Sequence, residues 1–302
     1  MSITLNNQSR NILLLGYGEM GHAFEVLLAD RHQVSIWSRR REQQGHCNLE
    51  EEVTAAEMII FCLPVMAHAS VIARLVKSIR KDTLCITIAK GLDETGSTAV
   101  QILQRGLIEQ PVAGIYGPMI AEELIAHRPG FAQLASTDES LYAYLADCFH
   151  NSHLYLEPGN DLAGSSWCVI LKNVYALLLG MADGLQLGDN MRGYLMVKSL
   201  EELSAIVESL GGNSHTPFQL PGLGDLITTA TSINSHHHSL GLAIGEGKEV
   251  ELSGEGIHTL RMVVQHQPFD YARYPLFSLC VVIVDDTENC GEYFSAYLGT
   301  TV

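Results

Sequence analysis

Lys172 falls in the middle of SSWCVILKNVYALLLGMADG, and its helical neighbours three and four positions away are Cys168, Val169, Tyr175 and Ala176. An ammonium desolvated on such an apolar face has its pKa lowered toward the range of a general base. A lysine that snorkels to the surface along its stem is the plain alternative. Asn173 follows directly, and Asp183, Asp189 and Asp225 occupy glycine-flanked positions that read, one at a time, as caps or turn formers. A base and a carboxylate beside a hydride carrier would suit the oxidation of a secondary alcohol.

The N-terminal part of the chain is built to hold such a carrier. GYGEMG places Gly16, Gly18 and Gly21 in GxGxxG spacing, with Glu19 and Met20 between them, directly after the apolar run NILLL and before the helical pattern HAFEVLLAD. Glycines there allow a tight turn and a close backbone approach to a pyrophosphate, and the helix N-terminus faces that charge. A glycine-rich turn with no ligand is the alternative, made less attractive by the strand-to-helix context. The second strand, QVSIW, ends in SRRR, with no acid until Glu42. Arg39 and Arg40 can pair with a 2′-phosphate, which favours NADP over NAD, against the plainer reading of a solvated basic turn.

A third group is TSINSHHHSLG, with three consecutive histidines, His236 to His238. Adjacent residues point in different directions, and no HxxxH or HxH-plus-carboxylate spacing accompanies them, so no metal site is expected.

These groups need elements to position them. Residues 11–15, 33–37, 58–63, 84–89, 112–117, 130–135 and 153–157 read as strands, with helical patterns between them such as residues 68–80 and 97–107. Nearly continuous apolar strands alternating with helices predict a parallel, doubly wound sheet covered on both faces. After residue 159 the pattern turns helical, over residues 163–185, 190–210 and shorter stretches, and LFSLCVVIV reads as a buried helix. The expected architecture is an α/β Rossmann-type domain, residues 1–158, followed by an all-α domain, residues 159–302.

Composition narrows the partners. With 34 acidic against 18 basic residues the net charge is −16, which disfavours nucleic acid. Seven scattered cysteines without CxxC spacing read as reduced thiols. The start, MSITLNNQSR, has no apolar signal core, and residues 167–181 form too short a run to span a membrane comfortably. A soluble cytoplasmic protein is expected.

The motifs GYGEMGHAF, IIFCLPV, AKGL, GPMIAEEL, ILKNVYAL with MADGLQLGDN, GLGDLITTATS and GEGIHTL occur in this order along nearly the whole chain. In this the sequence resembles the bacterial type of the NAD(P)-dependent glycerol-3-phosphate dehydrogenase family. The resemblance implies a Rossmann-type domain and a helical domain with the active site between them, NADP or NAD as cofactor, and sn-glycerol 3-phosphate and dihydroxyacetone phosphate as the small phosphorylated substrates. It also implies a homodimer. By position it makes Lys172 the proton acceptor and Lys90 a contact to both cofactor and substrate. It assigns Gly117, Met119 and Asp225 to the substrate, and Ala121 and Glu255 to the cofactor.

Three departures accompany it. GP(S/T)FA of the family is GPMIA here, so Met119 replaces a hydroxyl. The segment between the second strand and IIFCLPV is trimmed to about twenty residues, which thins the adenosine side. The family's SRNRRFG is SHHHSLG here, so Ser235 stays while His236 and His237 stand where arginine and asparagine grip the substrate phosphate. Histidine offers fewer donors than arginine and is charged mainly below a pKa of about 6.5. A related dehydrogenase for another hydroxy or keto compound, and a non-catalytic dinucleotide-binding paralogue, stay open beside the first reading.

Overall fold

The computed structural model describes residues 8–232 and 235–300. Residues 1–7, on which much of the expectation of no signal segment falls, and 233–234 within TSINSHHHSLG lie outside them. The chain divides into two compact units: Met1–Lys90 with Ser97–Leu162, and Gly91–Gly96 with Ala163–Val302.

In the first unit, strands β1 (Asn11–Leu15), β2 (Gln33–Trp37), β3 (Met58–Phe61), β4 (Leu84–Thr87), β5 (Val112–Tyr116), β6 (Gly130–Ala135) and β7 (Leu154–Gly159) alternate with helices. The helices are α1 (Glu19–Leu28), α2 (Arg39–Gln43), α3 (Leu49–Ala55), α4 (Val65–Leu75), α5 (Ala99–Gly106), α6 (Ala121–Ile125) and α7 (Ser140–Cys148). The strands form one sheet in the order β2-β1-β3-β4-β5-β6-β7. Ile12, Leu14, Met58, Ile60 and Ile86 feed the hydrophobic cluster on one face, while Leu13, Leu15, Ile59, Phe61 and Cys85 feed the cluster on the other. That two-sided burial explains the continuous apolar runs.

The all-parallel expectation needs one correction: β6 runs antiparallel to β5, and β7 is parallel to β6. Strand direction is set by the connection, and here that connection carries only the five-residue α6. An antiparallel neighbour needs no long crossover helix. SRRR is likewise a helix start and not a loose turn, because the Ser38 side chain accepts from Arg41 N at 3.3 Å and caps α2. The strand order reverses between β1 and β3, so the glycine loop after β1 stands at the topological switch point where such sheets bind ligands.

The second unit consists of helices α8 (Leu162–Gly184), α9 (Gly188–Ser209), α10 (Asp225–Thr231), α11 (His236–Gly245), α12 (Glu255–His266), α13 (Pro275–Asp285) and α14 (Cys290–Thr300), with a π-helical turn, Leu220–Gly224, leading into α10. LFSLCVVIV is helical, as its pattern predicts. At 23 residues α8 is longer than the apolar run suggests, and length and hydropathy alone would let it cross a membrane. Instead 94% of its apolar window is buried inside the protein, as the core helix of this unit. The α11 backbone lies directly on it: a Cβ at Gly241 would stand 2.0 Å from Leu177 O, and one at Gly180 2.2 Å from His238 O. Glycines four apart on both helices permit this approach, and it fixes where the histidine turn begins.

Candidate active site

Gly16 has φ +102, and a Cβ there would stand 2.7 Å from Cys62 O. A Cβ at Gly21 would stand 2.3 Å from Gly16 O. Packing therefore demands both glycines. Gly18, the residue before α1, has no atom within 4 Å of a would-be Cβ, so nothing in the protein itself requires glycine there. A dinucleotide pyrophosphate does require it, since the backbone must come close to the phosphates. The loop fits that group. Glu19 is exposed on the first turn, and Met20 packs against the sheet cluster.

Across the end of β1, Gly16 N donates to Trp37 O at 2.8 Å, which brings the end of β2 beside the loop. Arg39 and Arg40 are exposed there, and neither guanidinium has a hydrogen bond or ion pair to another described residue. Glu42, the first acid after β2, is already engaged. Arg74 bonds both its carboxylate oxygens at 2.8 Å, reaches Glu50 at 2.9 Å and sits over the Trp37 ring. The Arg74 guanidinium holds the Glu42 carboxyl down to about 2.

Lys90 lies past β4, and its Nζ donates to Gly117 O at 3.4 Å. The residues before it are braced by a buried imidazole. Burial pushes His68 down to about 4, so it is neutral near pH 7. Its Nδ1 lies 3.1 Å from Pro64 O, which only accepts, so that nitrogen carries the proton. Nε2 is then the acceptor for the Thr87 hydroxyl at 3.3 Å, and Thr87 Oγ1 accepts in turn from Ala89 N at 3.2 Å. Ala121 opens α6 and is buried. The Met119 side chain packs in the sheet cluster, so it offers no polar group to a substrate.

In the second unit Lys172 is 4% exposed, with Cys168, Val169, Tyr175 and Ala176 all buried around it. This excludes a lysine that snorkels to water. Its apolar face is only half of the environment, because Nζ lies 3.3 Å from Asp225 Oδ1 and donates to Thr229 Oγ1. Asp225 and Thr229 stand four apart on α10, hence on one face of it, and the Thr229 hydroxyl donates to Asp225 O at 2.7 Å. Sequence reasoning missed Thr229, although GLGDLITTA carries the four-residue spacing. Asn173 is buried too, and its Nδ2 donates to Glu255 Oε2, at the start of α12, at 3.5 Å.

The three histidines form the first turn of α11, capped by the buried Ser235. They go three ways. His236 turns toward Ser253 O, at 3.4 Å from Nε2, and its ring occupies the space over Gly254. A Cβ at Gly256 would stand 3.3 Å from His237 Nδ1 and 3.1 Å from Asn173 O, so His237 neighbours the Asn173–Glu255 pair. His238 Nε2 lies 2.8 Å from Asp183 Oδ2, and Asp183 also binds Arg192. Asp183 and Asp189 are thus ion-pair partners of Arg192. Among the described residues, no three His, Cys, Asp or Glu groups come together as a metal site.

The family described as NAD-dependent glycerol-3-phosphate dehydrogenase matches in two parts, its C-terminus over residues 161–295 and its N-terminus over residues 44–142. A glycerol-3-phosphate dehydrogenase (NAD(P)+) of Clostridium botulinum is 30% identical over 278 residues, 84% of this chain and 83% of its own. One from Synechocystis sp. is 30% identical over 275 residues, covering 88% of this chain and 86% of its own. The crystal structure of glycerol-3-phosphate dehydrogenase from Coxiella burnetii superposes with a TM-score of 0.84 at 25% identity, over 96% of this chain and 99% of that one. With a glycine loop that fits a dinucleotide and a buried lysine paired to a carboxylate, the chain belongs to the NAD-dependent glycerol-3-phosphate dehydrogenase family.

Proposed function

We propose that this protein interconverts sn-glycerol 3-phosphate and dihydroxyacetone phosphate with NADP or NAD. The observation that carries the reading is the buried group Lys172, Asp225 and Thr229, which offers one amine and the means to stabilise its charged form. When bound at the Gly16–Gly21 loop, the nicotinamide cofactor accepts or supplies the hydride. Lys172 takes the alcohol proton in oxidation and returns it in reduction. Asp225, beside it, offsets the positive charge that the lysine gains. Lys90, Gly117 and Ala121 line the cofactor and substrate in the first unit. Glu255 serves the nicotinamide end, oriented through Asn173. The unpaired Arg39 and Arg40 favour NADP, since each leaves a full guanidinium for a 2′-phosphate.

Ser235, His236 and His237 hold the substrate phosphate at the first turn of α11, where the helix N-terminus adds a favourable field. The seven free cysteines support a reducing cytoplasm. A second reading, a different carbonyl substrate, is favoured by one observation: imidazoles hold that turn, with His236 Nε2 directed at Ser253 O.

The test is NADPH oxidation with dihydroxyacetone phosphate between pH 5.5 and 8. Turnover that Lys172→Ala abolishes is expected. Tight NADPH binding with no turnover at any pH would favour the second reading, to be followed by a screen of unphosphorylated ketones. His236→Arg should lower KM for the phosphate substrate; an unchanged KM would remove His236 from the phosphate.

A further inference from the structure

The backbone on the far side of Lys90 is fastened as firmly as the near side, and again by histidine. Gly91–Gly96 belongs to the second unit although it directly follows Lys90. The Leu92 side chain is 1% exposed in that unit's core. Its carbonyl oxygen accepts from His258 Nε2 at 3.1 Å, and the Glu94 carbonyl accepts from His266 Nε2 at 2.9 Å. Both histidines are on α12, the helix that opens with Glu255. Asp93 closes the strap into a turn by accepting from Thr95 N at 2.9 Å. Gly96, at φ +73, comes so close that a Cβ would stand 3.0 Å from His266 Cβ. A carbonyl oxygen only accepts, so each Nε2 carries a proton, and the bonds hold whether the rings are neutral or charged.

We propose that His258 is a positioning residue for Lys90, with His266 as a second fastening: together they clamp the strap Gly91–Gly96 to α12 and so fix the backbone from which the Lys90 ammonium reaches the substrate. Neither histidine touches the reacting atoms. They act on the peptide that follows Lys90, as His68 and Thr87 act on the peptide before it. The ammonium then samples a narrow range of positions, and binding loses less side-chain and backbone freedom. The inference rests on the reading of Lys90 as a substrate contact.

Two substitutions separate the donor from the ring. His258→Phe keeps the bulk and removes the N–H; His258→Gln keeps an N–H donor on a flexible stem. Steady-state kinetics with NADPH and dihydroxyacetone phosphate should show KM for the substrate rising about fivefold to tenfold in His258→Phe, the size expected for one lost hydrogen bond, with kcat within about twofold. His258→Gln should recover most of the loss. In a Lys90→Ala background His258→Phe should add less than about twofold, because residues acting through one group are not additive. Hydrogen exchange of the amides of residues 88–96 in the full chain should quicken in His258→Phe and not in His258→Gln, a readout that needs no turnover. If Lys90→Ala raises KM and His258→Phe does not, or if the two effects simply multiply, the clamp is overturned while the role of Lys90 stands. If Lys90→Ala leaves KM unchanged, Lys90 is no substrate contact, and the positioning role falls with it.

Discussion

Lys172 is held by its head group, Lys90 by the backbone on either side of it. The Lys172 ammonium is enclosed between Asp225 and Thr229, 4% exposed on a helix buried all round. The Lys90 side chain is half-buried, with a long 3.4 Å bond to Gly117 O, while Thr87 braces the residue before it and His258 the strap after it. A head group caged in a dry interior has lost its rotamer freedom before any substrate arrives, which suits proton transfer to a single atom. A side chain that reaches from a fixed backbone point has its origin set and its head less enclosed, so the head can adjust over a short range as substrate becomes product. The two lysines therefore have different sensitivities to substitution.

The largest expected effect is at Lys172. Lys172→Ala should lower kcat about 10²- to 10⁴-fold with little change in KM, as for loss of a general acid–base, and Lys172→Arg should do no better, since a guanidinium neither fits the cage nor gives up its proton. Lys90→Ala should instead act mainly on KM. Steady-state kinetics on the three variants decides this, and a Lys172 variant that raised KM while keeping kcat would reverse the contrast.

The brace before Lys90 should leave its mark on stability. His68 is buried and sits at about 4, against about 6.5 in an unfolded chain. Between those values the unfolded chain binds a proton that the folded one refuses. The stability contributed by keeping His68 neutral is complete above about pH 6.5 and is lost as pH falls toward 4, by roughly 3 kcal/mol in all. Urea unfolding followed through Trp37 in a Trp167→Phe background, compared with the same chain carrying His68→Gln, should show the variant with the shallower pH dependence across that window. Equal slopes would mean that His68 is not held neutral.

Much of this arrangement can be read from residue order, and the remainder cannot for identifiable reasons. The seven strands, the glycine loop and the helical second half follow from periodicity, because burying one stripe or two faces leaves that record in the residue types. The direction of β6 leaves none: GFAQLA is equally apolar whichever way the strand runs. Lys172 stood out because a charge among cysteine, valine and tyrosine is costly. Its partners lie more than fifty residues further on and reach it only by tertiary packing. Thr229 was visible as a position four after Asp225 but not as a partner. His68, His258 and His266 escaped notice because a lone histidine in a helical pattern is ordinary, and only the structure shows which carbonyls they hold. The triplet His236–His238 attracted attention as a block, yet its members serve three different neighbours.

Thr229 allows the caged side of the contrast to be loosened without being emptied. Thr229→Val keeps the shape and removes the hydroxyl that accepts from Lys172, while Asp225 remains at 3.3 Å. Loss of one bond to a charged group, with the other partner kept, should lower kcat about tenfold. The pH profile of kcat should shift as well, since the balance of groups around the ammonium changes. A variant with wild-type kcat would mean that Asp225 alone fixes Lys172, and that the cage is a simple ion pair.

The smallest effect belongs to Lys90→Arg. Its backbone anchors, Thr87 to Ala89 N and His258 to Leu92 O, involve no atom of the side chain, so the substitution leaves them intact. Arginine is longer, carries the same charge and offers more donors to an anion. On a half-buried stem its head can adjust, and Gly117 O can accept from it as from lysine. KM for the phosphate substrate should change by no more than about threefold in either direction, against the loss of several orders expected for the same exchange at Lys172. Parallel titrations of the two arginine variants measure this asymmetry directly. A collapse of activity in Lys90→Arg as deep as in Lys172→Arg would show that Lys90, too, is gripped by its head, and the division between the two lysines would be lost.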